Sequence, residues 1–259
     1  VVDPAFPAIV SCYTVVPMEL TVNQKPIIPA NITYTLCDNY LLSATPDGIE
    51  EFDLTSLDDD FAPGNPDLVT SYYFTQQNAA DLANPIVPAN AYSNTTSPFN
   101  QTLWVRVDNT VTGCFGIQSF NIRVNPFPVV ADPVAEPFYA CEEVPGQGDF
   151  ELYDPENITK VINGLPNMQV TYYLNRTAAE GGDPIDQLPA VYVAPDGSIF
   201  ARVVNMSTGC WVVTQVNLEV LPAPIAPVLA PLEECDLNND GVAEFNLDAV
   251  IAAIEAALP

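Results

Sequence analysis

The sequence predicts an all-β protein made of tandem β-sandwich domains, and three observations carry that prediction. Two landmarks around cysteines recur along the chain in a fixed order. The interval at which each landmark recurs matches the length of one small sandwich domain and is too long for a solenoid repeat. The predicted strands are short alternating runs rich in Tyr, Val, Ile and Thr, and 26 prolines disfavour a helical protein.

One landmark closes each repeat: a cysteine, twice in a Thr-Gly-Cys turn, followed six residues later by an alternating strand. The cysteines of this landmark are Cys12, Cys114 and Cys210. The other landmark opens each repeat and is a cysteine ahead of a Phe-x-Leu run, at Cys37, Cys141 and Cys235. Cys37 and Cys141 are 104 residues apart, and Cys114 and Cys210 are 96 apart.

These intervals set the predicted domain boundaries. We expect the closing part of a preceding repeat over residues 1–23, complete repeats over 24–126 and 127–222, and the opening part of a following repeat over 223–259. The two end pieces cannot form a whole repeat together, because neither contains the Tyr-Tyr strand of the complete ones. We therefore expect the chain to be a window of a longer polypeptide.

Proline-rich linkers and one short helix per repeat complete the predicted architecture. Pro126-Phe127-Pro128 and Pro222-Ala223-Pro224 follow the last strand of each repeat and are typical of stiff, extended connectors. Asp154 is a good N-cap with proline after it, and Gly164 provides a stop, which predicts a helix between them. The same pattern predicts a helix over residues 248–258.

Charge and composition exclude several function classes. Six basic residues against 33 acidic ones give a net charge of −27, which argues against nucleic acid and anionic membranes as partners. The chain contains no histidine, so the usual serine and cysteine hydrolase triads are excluded. No carboxylate pair stands out from the acidic background, and we predict that the chain is not an enzyme. No apolar run is long enough to cross a bilayer, so we expect no membrane insertion of this segment.

Six cysteines in a chain of this composition predict disulfides. We expect the first cysteine of a repeat to lie at the same pole as the later cysteine of that repeat, which predicts Cys37–Cys114 and Cys141–Cys210. Cys12 and Cys235 would then pair with cysteines outside the window. The alternative pattern, which uses every cysteine, is Cys12 with Cys37, Cys114 with Cys141 and Cys210 with Cys235.

The strongest chemical motif is the run from Asp236 to Gly241. Oxygen ligands at Asp236, Asn238 and Asp240, with a glycine for the sharp turn, are what a calcium-binding loop requires. The twelfth position is Leu247 instead of the glutamate of an EF-hand, so another oxygen ligand would be needed. The alternative reading is a polar turn between two strands.

The order of motifs resembles the Ig-like repeats of very large surface and secreted proteins of the Bacteroidota, which the type IX secretion system exports, including gliding-motility-associated and adhesin-like proteins. The motifs that carry the resemblance are Cys235–Gly241, Phe52–Thr55, Tyr72-Tyr73, Pro85-Ile86, Val105–Val107 and Thr112–Cys114. The resemblance implies Greek-key Ig-like sandwiches and an extracellular or cell-surface location. The second repeat departs from the pattern, with Glu151 for the aspartate and no acidic loop.

This resemblance and the tandem organisation together predict a structural role. We expect a stalk or filament segment of a large extracellular adhesin or appendage protein that acts in adhesion, surface attachment or motility. Its partners would be neighbouring repeats of the same polypeptide, copies of itself in a filament, and an extracellular target. The alternatives are a module that binds glycans or proteins, and accessory domains of a secreted enzyme.

Overall fold

A computed structural model of the chain describes residues 15–223, 228–236 and 240–256. The chain divides into two compact units. The first contains the described residues up to Leu36 together with Asp47–Val124, and the second contains Cys37–Pro46 and the residues from Asn125 onward. The segment 37–46, which the sequence analysis assigned to the repeat over 24–126, thus belongs to the second unit.

Unit 1 is built from six strands and two short helices, and β3 with β5, β5 with β6 and β2 with β4 pair antiparallel. Its main sheet has the strand order β1-β6-β5-β3, and β2 pairs with β4 in a small second sheet. The elements are β1 (Thr33–Cys37), β2 (Glu51–Phe52), α1 (Asp58–Phe61), β3 (Leu68–Tyr73), α2 (Gln76–Asp81), β4 (Tyr92–Ser93), β5 (Asn100–Asn109) and β6 (Phe115–Asn125), with 3-10 turns at Leu54–Leu57 and Ala89–Ala91.

Unit 2 repeats this plan in a single six-stranded sheet. Its six strands follow the order β10-β8-β7-β12-β11-β9, and β7 runs parallel to β12 while the other paired strands are antiparallel. The elements are β7 (Phe138–Val144), β8 (Gln147–Glu151), α3 (Pro155–Ile162), β9 (Met168–Tyr173), α4 (Arg176–Gly181), β10 (Val191–Ala194), β11 (Gly197–Asn205) and β12 (Trp211–Leu221), with a 3-10 turn at Pro184–Asp186. Beyond it lies α5 (Asp248–Glu255).

Each unit encloses its own hydrophobic core, and period-two alternation selects the residues in it. On β5, Leu103, Val105 and Val107 are completely buried, and on β11 Ala201 and Val203 are too. Side chains on alternate positions of a strand face the same side of its sheet, so each run presents one apolar row to the core. The two Ig-like β-rich units confirm the predicted fold class.

The helix predicted after Asp154 is present, and the structure adds a second one in each unit. The Asp154 side chain accepts from the Glu156 backbone N–H at 2.8 Å, and Asn163, in the left-handed region, ends the helix one residue before Gly164. The unpredicted helices α2 and α4 have only six residues each and are capped by Thr75 and Asn175. Runs this short show too little periodicity to be recognised in a sequence.

The predicted linker Pro126–Pro128 is not a free connector. Phe127 is 5% exposed and packs within the core of unit 2, and Pro128 is buried as well. The second predicted linker is exposed at Pro222 and Ala223, and Pro224 lies outside the described residues. Among the described residues, no helix is both long enough and apolar enough to cross a membrane.

Candidate functional site at the Cys37–Cys210 disulfide

The turn between β11 and β12 presents Cys210 to the interior of unit 2. The Asn205 side chain accepts from the Ser207 backbone N–H at 2.9 Å, and the Asn205 backbone N–H donates to the Cys210 carbonyl at 2.8 Å. Gly209 has a φ of +77°, which glycine adopts without the steric cost other residues would meet. This local geometry leaves Cys210 completely buried.

Cys37, the last residue of β1, forms a disulfide with Cys210. Their Cα atoms are 5.4 Å apart, within the ordinary range for a disulfide, and the bond joins positions separated by 173 residues. The predicted pairs Cys37–Cys114 and Cys141–Cys210 are therefore wrong, and so is the alternative pattern. The bond links the first sequence repeat covalently to the second.

The direction of the first strand of a repeat explains why the predicted pairs cannot form. Because β7 runs parallel to β12, Cys141 lies beside Leu221 at the end of that strand, whereas Cys210 precedes its first residue. An 11-residue strand spans about 35 Å, far beyond disulfide reach. The prediction placed both cysteines of a repeat at one pole, but a parallel first strand places them at opposite poles.

The carbonyl of Asn125 marks the point where the two cysteines meet. It accepts a hydrogen bond from the Asp38 backbone N–H at 2.9 Å and lies 3.7 Å from the Cys210 sulfur. Asn125 is the last residue of β6, while Cys114 immediately precedes the first residue of that strand. Cys37 is consequently held at the far end of β6 from Cys114, its predicted partner.

Tyr40 anchors the segment that follows Cys37. Its ring makes edge-on contacts with Trp211 and Phe127, at centroid distances of 5.4 and 6.2 Å. Its hydroxyl donates to Glu180 Oε1 at 3.0 Å. Burial, followed by the hydrogen bond to Glu180, raises the pKa of the Tyr40 phenol to about 12. Tyr40 is therefore a neutral hydrogen-bond donor at every physiological pH.

Arg202 holds in place two elements that contact Tyr40, the Trp211 ring and the end of α4. The Arg202 guanidinium lies 3.8 Å from the centroid of the Trp211 ring, a cation–π distance. It also donates to the carbonyls of Ala179 and Glu180, at 2.9 and 2.7 Å. Burial lowers the pKa of the Arg202 guanidinium, which still remains charged. Arg202 thus ties Trp211 to the end of α4, the helix that carries Glu180.

The segment also borders a groove of about 460 Å³ in unit 2. The groove lies between the segment Tyr40–Ala44, the stretch Phe127–Val130 and the start of β12 at Val212 and Val213. Leu42 is 79% exposed beside it. Sequence reasoning missed Tyr40, Trp211 and Glu180, although the aromatic residue in the insertion after Cys37 was a visible signal.

Unit 1 carries an equivalent surface around Cys114. The Cys114 sulfur lies 3.7 Å from the Asn23 carbonyl, the same distance as between Cys210 and Asn125. Arg106 lies 3.6 Å from the Phe115 ring centroid and donates to the Ala79 and Ala80 carbonyls, as Arg202 does in unit 2. Within the described part of the chain Cys114 forms no disulfide, and Phe115 is 39% exposed.

The predicted calcium ligands are only partly described. Asp236 Oδ2 accepts from the Gly241 backbone N–H at 2.6 Å, and Asp240 Oδ1 accepts from Val242 at 2.9 Å, while Asn238 lies outside the described residues. Within the described ranges, no cluster of three Cys, Asp or Glu side chains suited to a metal ion occurs. Cys141 and Cys235 are exposed thiols, and Cys12 lies outside the described residues.

The chain contains two Ig-like units and a disulfide that joins one sequence repeat to the next. These features define a tandem-domain protein whose neighbouring repeats are covalently joined. The sequence profile described as "Flavobacterium inter-domain disulphide bond domain" matches residues 33–128 and 137–224, more than half of the chain. The chain belongs to this family.

The solved structures to which the chain is similar share little sequence with it. An I-band fragment of titin is 10% identical over 75% of this chain and 64% of its own, with a TM-score of 0.28. Extracellular domains 3–5 of Drosophila OTK are 12% identical over 75% and 60%, with a TM-score of 0.29. The chain spans less than two thirds of the length of each of these two structures.

A third similar structure comes from a surface protein. It is a SusE-like surface-located polysaccharide-binding protein from Bacteroides thetaiotaomicron, 9% identical over 74% of this chain and 34% of its own, with a TM-score of 0.26. No curated protein matches the sequence.

Proposed function

We propose that the chain is a structural segment of an extracellular surface protein, in which consecutive Ig-like repeats are locked together by disulfides. The single observation that carries this proposal is the Cys37–Cys210 bond, which joins the end of the first strand of one repeat to the closing turn of the next. Structural disulfides persist in oxidising environments such as the cell exterior. The net charge of −27 favours solubility and opposes random self-association there.

The same connection extends to the other cysteines. Cys141 lies on β7, the first strand of its repeat, as Cys37 lies on β1, and Cys114 sits beside Asn23 as Cys210 sits beside Asn125. We propose that Cys141 pairs with the closing-turn cysteine of a following repeat, and Cys114 with the opening cysteine of a preceding one. The result is a ladder of disulfides along the array, with one rung per pair of neighbouring repeats.

A ladder of this kind suits a load-bearing stalk or filament. A force applied at the two ends of the chain passes through Cys37 and Cys210, because the disulfide is the shorter covalent path. The loop of 173 positions between them, which holds most of both repeats, is bypassed. The proposed role is therefore to resist extension, as in an adhesin stalk or a motility-related appendage, and is not catalytic.

The experiment that tests this role is imaging of the native protein. Antibodies raised against this segment are expected to label intact cells, and cryo-electron microscopy of protein sheared from them is expected to show continuous strings or fibres of domains. Peptide mapping of the same material under non-reducing conditions should recover Cys37 joined to Cys210. A protein found inside the cell with all cysteines reduced would overturn the proposal.

Calcium binding at Asp236, Asn238 and Asp240 is a separate proposal, supported by the oxygen-rich spacing of these residues. Isothermal titration of the chain with calcium should show one site that disappears in Asp236→Asn. An unchanged heat signal in that variant, or none in the parent chain, would contradict it.

A further inference from the structure

A binding site for an aromatic side chain lies beside the disulfide in unit 2. Trp211, Phe127 and Glu180 surround Tyr40 with two ring contacts and one hydrogen bond. None of these contacts involves a sulfur atom, and they come from residues distant from each other in sequence. Three residues that contact one side chain in this way form a binding site, which we call the receptor.

We propose that Trp211, Phe127 and Glu180 form a receptor for a tyrosine three residues after a cysteine, and that Tyr40 uses it to hold Cys37 beside Cys210 before their disulfide forms. This inference rests on the proposed function, in which the Cys37–Cys210 bond locks neighbouring repeats together, and adds to it a noncovalent selection step. Tyr40 is a positioning residue, since it acts through Cys37 and takes no part in the bond.

The connection between Cys37 and Tyr40 is held too firmly for the two to move independently. Asp38 is 4% exposed, and its backbone N–H is bonded to the Asn125 carbonyl at 2.9 Å. The Asn39 side chain accepts from the Leu41 backbone N–H at 3.0 Å, and the Asn39 carbonyl accepts from Leu42 at 3.0 Å. A docked Tyr40 ring therefore fixes where the Cys37 thiol lies.

The side chains of the receptor are held in place by contacts that do not involve Tyr40. Arg202 stacks on Trp211 at 3.8 Å and bonds the carbonyls of Ala179 and Glu180, so the indole and the end of α4 are fixed by one guanidinium. Phe127 is fixed by the core of unit 2. Preorganised sites lose less entropy on binding, and this favours docking even without a covalent bond.

The equivalent positions in unit 1 make the site selective. The matched contacts of the two arginines and of Cys114 and Cys210 set the correspondence. By it, Lys25, Ala80 and Phe115 stand where unit 2 has Phe127, Glu180 and Trp211. The Ala80 side chain has no acceptor for a tyrosine hydroxyl, and Lys25 replaces an aromatic side chain with a charged, exposed one. Tyr40 consequently fits the surface beside Cys210 and not the one beside Cys114. The receptor therefore directs Cys37 to the closing turn of unit 2, where Cys210 lies.

Reoxidation of the reduced chain measures this selection. With oxidised glutathione as oxidant, one protein thiolate attacks it and releases one glutathione, and the second thiolate then displaces the other. The products are one protein disulfide and two reduced glutathiones. The full 259-residue chain is reduced under native conditions, reoxidised, quenched by alkylation at timed points, and its disulfides mapped by mass spectrometry.

We expect the parent chain to form Cys37–Cys210 as the main product. Tyr40→Ala should slow this bond about tenfold and raise the share of Cys37 in other pairs, because the ring contacts and the hydrogen bond are lost together. Tyr40→Phe and Glu180→Ala should each slow it about threefold, because only the hydrogen bond is lost. Leu42→Ala, in the same segment but exposed, is the matched control and should not change the rate.

A second measurement reports docking without the disulfide. In a Cys37→Ser, Cys210→Ser, Trp104→Phe background the sole tryptophan is Trp211. Tyr40→Ala should increase quenching of Trp211 fluorescence by acrylamide at least twofold, while Leu42→Ala leaves it unchanged. Circular dichroism of each variant shows whether unit 2 remains folded.

Two results would overturn the inference: reoxidation of Tyr40→Ala with the parent's rate and pairing, and equal quenching of Trp211 with and without Tyr40. The proposed function fails by a different result, namely native protein in which Cys37 and Cys210 are not bonded.

Discussion

Cys141 lies beside Leu221 in parallel register, at the opposite end of β12 from Cys210. This one relationship determines the pattern of cross-links. In unit 2 the opening cysteine thus lies where the parallel pairing of β7 with β12 ends, away from the closing turn. It cannot reach the closing turn of its own repeat, and in the proposed ladder its partner is the closing-turn cysteine of a following repeat, as Cys210 is for Cys37.

Removal of the Cys37–Cys210 bond should destabilise the protein. Cys37→Ser is expected to lower the free energy of unfolding by about 2 to 5 kcal/mol, because the bond closes a loop of 173 positions in the unfolded chain. Guanidinium chloride denaturation followed by circular dichroism measures the change. Cys141→Ser, at an exposed thiol, is the control and should change it by less than about 0.5 kcal/mol.

A matched pair of buried tyrosines tests the hydrogen bonding of the two cores. The Tyr72 hydroxyl donates to Asp58 at 2.6 Å, whereas in the described residues the equivalent Tyr172 hydroxyl has no hydrogen-bond partner. Tyr72→Phe should cost about 1 to 2 kcal/mol, while Tyr172→Phe should be neutral or stabilise by up to about 1 kcal/mol, because it removes an unsatisfied polar group. Equal losses in both variants would show that the two hydroxyls have similar environments.

High pH should release Tyr40 from its receptor. The pKa of Tyr40 is raised from 10.0 to about 12 by burial and by the bond to Glu180, so the neutral form is favoured in the folded state. The stability that Tyr40 contributes is fully present below pH 10 and is lost as pH rises towards 12.

The measurement is Trp211 fluorescence in the background without Trp104, Cys37 and Cys210, between pH 8 and 12. Tyr40→Phe is the control, because it keeps the ring but cannot ionise. A transition of the same size in both proteins would assign the change to other groups.

Thiol reactivity should rank the cysteines by exposure. Cys141 is exposed and Cys114 half-buried, and Cys210 is buried in its disulfide. Alkylation of the native chain should label Cys141 and Cys235, both exposed, before Cys114, and Cys37 and Cys210 only after reduction. Labelling of Cys37 without a reductant would show that its bond is absent in solution.

The fold could be predicted from the sequence because its signals are local and repeated. The Thr-Gly-Cys turn, the alternation on β5 and β11, and the Asp154-Pro155 helix start each depend on a few neighbouring residues. The helices α2 and α4 escaped detection because six residues show almost no periodicity.

The candidate site could be predicted only in part, because it depends on strand direction. The sequence identifies Cys37 and Cys210 as disulfide formers, but it does not show that a first strand runs parallel to the last. The anchor is formed by Tyr40, Phe127, Glu180 and Trp211, which come together only in the folded unit. The insertion between Cys37 and Asp47, which has no counterpart after Cys141, was the one visible indication.

The most direct test of the covalent link between repeats is single-molecule extension of the chain from its two ends. We expect the oxidised chain to unfold without releasing the loop between Cys37 and Cys210, and the reduced chain, or Cys37→Ser, to extend by about 60 nm more, given about 3.5 Å for each of 173 residues. Equal extension of the oxidised and reduced chains would contradict the account.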